Sequence, residues 1–542
     1  RGAPDAAAEL GELALRLTPT GGERTARLLA TAAAHADGGD LDRARTLLLE
    51  AVSGAPDGRL RANVLRLLGQ LEARRNSFVS ARDHAVAALH AAPGDEALQA
   101  GIELDLAFYR VSLADFRGAE PHAHAAVERA RRDATAGSPT LSGAIAVMTM
   151  VDFLCGRGPR TASLARAAAG DDGAQPLPLM LRPRFILGLV QLWTGRVGEA
   201  VESLDLLRLE ALEQGREGDV PLLSLYLVWS CLWQGDGGRA ERLAAAAIEI
   251  ATVLDDRMAR AMSLSARALA AAFAGRTADA RDAAGAAIAL FEELEWRSGL
   301  IWPCWALGQA ELAAGNPAGA DAVLGPLAAQ VAGLGDTDPV LSMFVPDEVE
   351  ALTALGRAAA ASSLLEPFEE RASALDRGWA RAAAGRCRGL LLAAEGDFDG
   401  AVSALEEALA HHEREMPVER ARTVLELGRV ERRRRQKRRA RLALEEALET
   451  FERAGADGLA AKARAELARV VTRRAPSELT ATEERIARLA AEGLTNRAIA
   501  ERAFVAVSTV EANLKRAYRK LGITSRAQLS RALDRKGAQT VS

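Results

Sequence analysis

The sequence predicts an all-α protein: a long array of helical hairpins followed by a small basic helical domain. Three observations carry this expectation. A glycine followed five residues later by an alanine recurs at Gly195/Ala200, Gly235/Ala240, Gly275/Ala280, Gly315/Ala320, Gly356/Ala361 and Gly396/Ala401, at spacings of 40, 40, 40, 41 and 40 residues. A fixed period of this length marks a repeat architecture, and 542 residues are too many for one hydrophobic core. Charge is also polarised toward the C-terminus. Residues 477–542 carry 12 Lys/Arg against 7 Asp/Glu, a net of +5, so the overall charge of −4 leaves −9 for the rest.

Taken in order, Gly39/Ala44, Ala81, Ala119 and Ala440 lie in the same phase, which predicts about eleven units from about residue 20 to about residue 455. The register is least distinct near Thr161. Within each unit the glycine ends one amphipathic helix, and the alanine marks close packing of a second helix on the first, as in Arg184–Trp193 followed by Val197–Leu207. Leu68-Gly69, Leu187-Gly188, Leu307-Gly308 and Leu427-Gly428 fall in first helices, and Pro56 and Pro93 close early units. These features resemble the tetratricopeptide family, with departures in the period, ~34 residues in that family, and in its aromatic positions, mostly aliphatic here. The resemblance implies a tetratricopeptide-like α-solenoid over residues 1–472 whose concave surface takes a protein partner or a small-molecule effector. Trp229 and Trp233 lie one turn apart and Trp302 and Trp305 on a similar arc. They either line a groove pocket for a peptide or small effector or fill gaps between repeats.

Other chemistry is excluded by what the chain lacks. No GxxxxGK[ST] loop occurs, and the first of the five lysines is Lys437, so no Walker A site lies within the chain. His122/His124 and His411/His412 form no HExxH or Cys/His set with metal-ligand spacing. Cys155, Cys231, Cys304 and Cys387 lie more than 70 residues apart without a CxxC pair, so neither zinc nor disulfides are expected and a reducing cytoplasm fits best. Carboxylates are scattered on amphipathic stretches such as Leu405–Phe451, where pairs four apart support the helix. No catalytic residue, metal or cofactor is expected, and the protein reads as a non-enzyme. Leu222–Trp233, the longest strongly apolar stretch, has 12 residues, short of the roughly 20 of a membrane span. No membrane partner is expected, and location in the cytoplasm at the nucleoid is. Arg432–Arg439 has seven basic residues in eight, at a turn between two helices. That run either touches DNA phosphates or is simply solvated.

Residues 473–477, Arg-Arg-Ala-Pro-Ser, read as a linker, and residues 478–542 as a separate domain. Thr480-Ala481-Thr482-Glu483 is a capping box that opens a helix to Glu492, stopped by Gly493. Thr495 caps a second helix over Asn496–Arg502, the turn Ala503–Ala506 follows, and a third helix spans Val507–Leu521 to Gly522. Ser525-Arg526-Ala527-Gln528 reads as a second capping box opening a fourth helix through Leu529 and Leu533. Val510, Leu514, Ala517 and Leu521 give the third helix an apolar stripe, while Thr509, Glu511, Ala512, Lys515, Arg516 and Arg519 occupy its other face. A short helix, a tight turn and such an amphipathic helix are the parts of a major-groove reader.

The segment LTATEERIARLAAEGLTNRAIAERAFVAVSTVEANLKRAYRKLGITSRAQL resembles the LuxR-type helix-turn-helix domain. Matches fall at Leu479-Thr480, Glu483, Glu492-Gly493, Asn496, Ile499-Ala500, Thr509-Val510, Leu514, Tyr518, Lys520-Leu521-Gly522 and Ser525-Arg526. The resemblance implies a bacterial transcription regulator that binds double-stranded DNA. In that reading Glu511, Ala512 and Lys515 face bases, Arg516, Arg519 and Lys520 meet phosphates, and homodimers form through Leu529, Ala532 and Leu533. Val510, Leu514, Tyr518 and Leu521 belong to the core, and Arg526 holds the fourth helix. Three departures matter: Ala506 replaces the usual serine cap, Asn513 a common histidine, and Glu511 a base-facing lysine. A lost serine cap costs about 1 kcal/mol, unless Ser508 and Glu511 form a replacement capping box two residues later. Repeats followed by this domain also resemble the C-terminal half of the large ATP-binding LuxR-type regulators. The chain begins at Arg1 rather than methionine, which predicts a fragment or processed product with a domain upstream. Two rival readings are a protein-binding scaffold with a vestigial DNA domain and the C-terminal part of an ATP-dependent signalling regulator.

Overall fold

The computed structural model describes residues 2–19, 22–55, 58–92, 94–132, 139–158, 160–171, 177–412, 414–471 and 479–533. Pro56, Pro93 and the 473–477 linker lie outside them. The chain divides into two compact units, Arg1–Ala465 and Glu466–Ser542, and all regular elements among the described residues are helical.

In the first unit eleven helical hairpins follow one another, from Gly22–Asp37 with Leu41–Gly54 to Pro417–Arg433 with Lys437–Ala454. Gly2–Arg16 precedes them and Asp457–Val471 follows. Each hairpin reverses direction within a few residues, which requires a left-handed residue after the first helix. Gly195, Gly235, Gly275, Gly315, Gly356 and Gly396 all supply it, with φ between 72° and 92°, a conformation glycine adopts without steric cost.

Ala44, Ala81, Ala119, Ala200, Ala240, Ala280, Ala320, Ala361, Ala401 and Ala440 are completely buried, because each is where the second helix comes closest to the first. The Leu-Gly pairs complete the contact from the other side. A Cβ on Gly188, Gly308 or Gly428 would lie 2.8, 2.6 or 2.7 Å from Leu204, Leu324 or Leu444, the leucine four residues after the alanine in each hairpin. Near Thr161 the phase slips for a physical reason: six residues separate Leu154 from Thr161, against three between Trp193 and Val197. Gly156 and Gly158 both take positive φ there, and Leu164 takes the buried position of the alanine.

The array winds so that hairpins about five repeats apart touch. Trp379 Nε1 donates to the Trp193 carbonyl at 3.0 Å, the Gly198 amide to Glu415 Oε2 at 2.6 Å, and the Asp338 amide to the Leu154 carbonyl at 2.9 Å. First helices line the axis of this winding, and one apolar cluster runs from Leu104 to Met416. An open concave groove is therefore not what this stretch provides. Side chains of the array itself fill most of it.

Candidate nucleic-acid interface

In the second unit three helices, Ala481–Ala491, Asn496–Ala503 and Val507–Leu521, pack around Ile486, Ala490, Ile499, Val510, Leu514 and Leu529. The first capping box is present: Thr480 Oγ1 accepts from the Glu483 amide at 3.2 Å and Glu483 Oε2 accepts from the Thr480 amide at 2.9 Å. Thr495 caps the second helix through the Ala498 amide at 3.3 Å, and Gly493 and Gly522, at φ 89° and 66°, lie at the helix ends. The third helix starts at Val507 with Ala506 at its cap, which makes no side-chain capping bond. Ser508 thus lies inside the first turn, and no replacement box forms around it.

Thr509, Glu511, Ala512, Lys515, Arg516 and Arg519 are all exposed along the outer face of this helix. Asn513 is buried; its Nδ2 donates to the Thr509 carbonyl at 2.7 Å and its Oδ1 accepts from Arg516 Nη2 at 3.0 Å. Arg516 Nε also lies 3.7 Å from Glu483 Oε1, so the guanidinium is oriented from beneath. Lys520 differs from the other six. Its side chain is 6% exposed and its Nζ donates to Glu483 Oε2 at 2.6 Å. That bond from Lys520 holds the Glu483 carboxyl below the usual carboxylate range despite its burial. The structure turns Lys520 toward the core, where it joins the first helix to the third.

The array has a polar centre of its own around Arg422, which pairs with Asp347, with Glu350 at 3.6 Å and with Glu419 at 3.3 Å. Trp305 Nε1 and Gln309 Nε2 donate to Asp347 Oδ2 at 2.7 and 3.2 Å, and Lys462 Nζ to Glu350 Oε1 at 3.1 Å. Burial alone would raise Glu350 and Glu419, but Lys462 and Arg422 hold the first, and Arg422 and Arg386 the second, at about 2. Arg422, its three carboxylate partners and Lys462, together with Trp229, Trp233 and Phe273, line a cavity of about 70 Å³. Trp229, Trp233, Trp302 and Trp305 are all buried, with the Trp229 ring 4.9 Å from Trp302 and 4.6 Å from Trp233. They fill the space between hairpins, and Trp229, Trp233 and Trp305 also wall this cavity. Among the described residues no group of three or more His, Cys, Asp or Glu is placed to hold a metal, and no helix is long and apolar enough to cross a membrane.

Residues 477–533 match the family model described as bacterial regulatory proteins, luxR family. This segment is a luxR-family helix-turn-helix domain. No curated protein matches the chain. Among solved structures, one from the APC/C hetero-tetramer Cut9–Hcn1 shares 14% identity over 87% of this chain and 91% of its own, with a TM-score of 0.50. Yeast Tom70 shares 15% identity over 82% and 96%, with a TM-score of 0.30. BtubC from P. vanneervenii shares 21% over 39% and 90%, with a TM-score of 0.31. The first of these likenesses, with the helical hairpins described above, makes the first unit a tetratricopeptide-like solenoid.

Within the luxR-family domain the fourth segment departs from the sequence reading. Residues 526–528 form a short 3₁₀ turn before a helix that continues through residue 533, and Ser525 makes no side-chain cap. Gln528 Oε1 accepts instead from the Thr524 amide at 3.0 Å. Arg526 donates to Asn496 Oδ1 at 3.0 Å and to the Leu494 carbonyl, tying this segment to the turn between the first two helices. Leu529 is fully buried in the domain's own core, with Ala532 also buried, so Leu529 is not a free dimerisation contact. Sequence reasoning missed Phe504, which is 94% exposed and left-handed at φ 56° in the helix-turn-helix turn. A bulky residue one position after a short helix, where glycine or asparagine would fit, was the available signal.

Proposed function

We propose that the chain is a bacterial transcription regulator whose luxR-family domain reads operator DNA through the third helix and whose solenoid receives a protein partner or effector. One observation carries the DNA reading: Glu511, Ala512, Lys515, Arg516 and Arg519 stand exposed on one helix face, with Arg516 already oriented by Asn513 and Glu483. Lysine donates to guanine and glutamate accepts from cytosine in the major groove, so Lys515 and Glu511 choose bases. Arg516 and Arg519 bind phosphates, which fix register without reading sequence. Lys520 supports that surface from inside. For the solenoid, the supporting observation is the Trp229 indole N–H, buried without a hydrogen-bond partner beside the cavity.

Selection from a random duplex library tests the DNA reading. Lys515→Ala should flatten preference at one or two positions of the selected motif, each worth about 1–3 kcal/mol. Arg519→Ala should weaken every sequence alike and lower the salt slope by about one. An unchanged motif for Lys515→Ala with a rewritten motif for Arg519→Ala would mean that the helix does not lie in the groove as proposed.

A further inference from the structure

Seven of the eight residues Arg432–Arg439 are basic, and they form the turn between helices Pro417–Arg433 and Lys437–Ala454. Eight other hairpins place a glycine at the left-handed position of this turn and two place Asn76 and Ala114 there; here Arg435 holds it, with φ 64°. A residue with a Cβ is strained in that conformation, and where the position is not glycine elsewhere, at Asn76 and Ala114, it carries no charge, so folding of the turn does not account for an arginine there. The charge balance points the same way. Glu431 accepts from Arg434 at 3.4 Å and Arg439 at 3.1 Å, and Asp399 pairs with Arg434 at 2.5 Å. Arg433 Nη1 donates to the Ala393 carbonyl at 3.3 Å. Arg435, Lys437 and Arg438 are exposed, and among the described residues none of the three meets a carboxylate.

We propose that this turn is a second nucleic-acid contact, which grips the phosphate backbone of duplex DNA without regard to sequence. The proposal rests on the DNA reading of the luxR-family domain. Residues 1–476 are net negative, −9 against +5 for the remainder, so the solenoid as a whole has no general attraction to DNA and any affinity must come from a local site. A duplex presents a dense, regular line of negative charge that matches a run of cations with few carboxylates to neutralise it. Because one chain carries both contacts, DNA held by the terminal domain is at high effective concentration for the turn. A contact too weak to act alone therefore suffices.

The test uses the full chain and a duplex carrying the selected motif. In the Arg435→Gln/Lys437→Gln/Arg438→Gln variant the salt slope of log K should fall by about 2–3, at roughly 0.9 per phosphate released. The selected motif and the thermal unfolding should stay as in the parent protein. Arg435→Gly, which relieves the backbone, should lower the slope by about one without loss of fold. An unchanged slope in protein that still binds its motif overturns the proposal and leaves the reading of the terminal domain intact. A wild-type chain that binds no duplex at low salt overturns both. Retention of the slope with loss of binding to phosphatidylserine vesicles would replace the DNA contact with a membrane surface.

Discussion

The two units of this chain solve the same packing problem with different resources. In the solenoid one contact is repeated: a fully buried alanine, with a leucine four residues on that reaches a glycine in several hairpins, as at Gly188, Gly308 and Gly428. Stability is then a sum over neighbouring hairpins, and no single contact decides it. The luxR-family domain has no such redundancy. Its core is a handful of side chains, and one carboxylate, Glu483, caps the first helix, pairs with Lys520 and faces Arg516. Repetition distributes stability, and a small domain concentrates it in its polar connections.

Lys520→Ala breaks that comparison at its sharpest point. Removing one partner of a buried ion pair costs about 3 kcal/mol where the remaining charge is left unpaired, and here somewhat less, because Arg516 at 3.7 Å and the capping bond to Thr480 still stabilise Glu483. The domain should unfold at markedly lower temperature while the solenoid is untouched. All seven tryptophans, from Trp193 to Trp379, lie in the first unit. Tryptophan fluorescence therefore follows the solenoid alone, and circular dichroism follows both units. A Lys520→Ala protein with unaltered melting of the terminal domain, but weaker DNA binding, would put the lysine on the DNA instead.

How much of this was legible from the sequence depends on whether a feature is periodic. The glycine and alanine positions repeat, so chance patterns cancel, and the hairpin array follows from one chain without comparison. The helices of the terminal domain were legible through their caps: Thr480, Thr495, Gly493 and Gly522 all sit at helix ends. Lys520 was not. A lysine two places before the glycine that ends an amphipathic helix looks solvent-facing, and its inward turn depends on Glu483, 37 residues away. The filled axis of the solenoid was hidden for the same reason. Trp379 and Trp193 are 186 residues apart, and no local pattern records that they meet.

Within the solenoid, Glu348 is the place where redundancy should fail. It is buried, one of its carboxylate oxygens has no partner, and burial, with Asp321 beside it, pushes its pKa up to about 8. The folded state therefore keeps a proton that the unfolded chain releases near the ordinary value of 4.5. Stability should fall as pH rises between those two values, because the unfolded state is then the one with fewer protons. Glu348→Gln removes this dependence and should stabilise the solenoid by about 1–3 kcal/mol at pH 8. Urea unfolding followed by tryptophan fluorescence at pH 5 and pH 8 measures it. Equal pH slopes in parent and variant would show that Glu348 is ionised in the fold.

The smallest effect concerns the third helix, where the terminal domain lacks one of the connections it relies on. Ala506 stands at the cap with extended backbone, φ −69° and ψ 151°, the geometry from which a side-chain oxygen reaches the free amides of the first turn. Thr480 does this for the first helix and Thr495 for the second. Ala506 is exposed, so a hydroxyl fits without repacking, and Ala506→Ser should stabilise the domain by about 1 kcal/mol. A gain of that size is large for a small domain, a few degrees in its transition, and should leave the tryptophan signal of the solenoid unchanged. Glu511 stays exposed on the outer face in either case, so the selected DNA motif should not change. If serine instead alters the motif, then the start of this helix is shaped by the DNA it reads, and the bare alanine is part of the recognition surface rather than a missing cap.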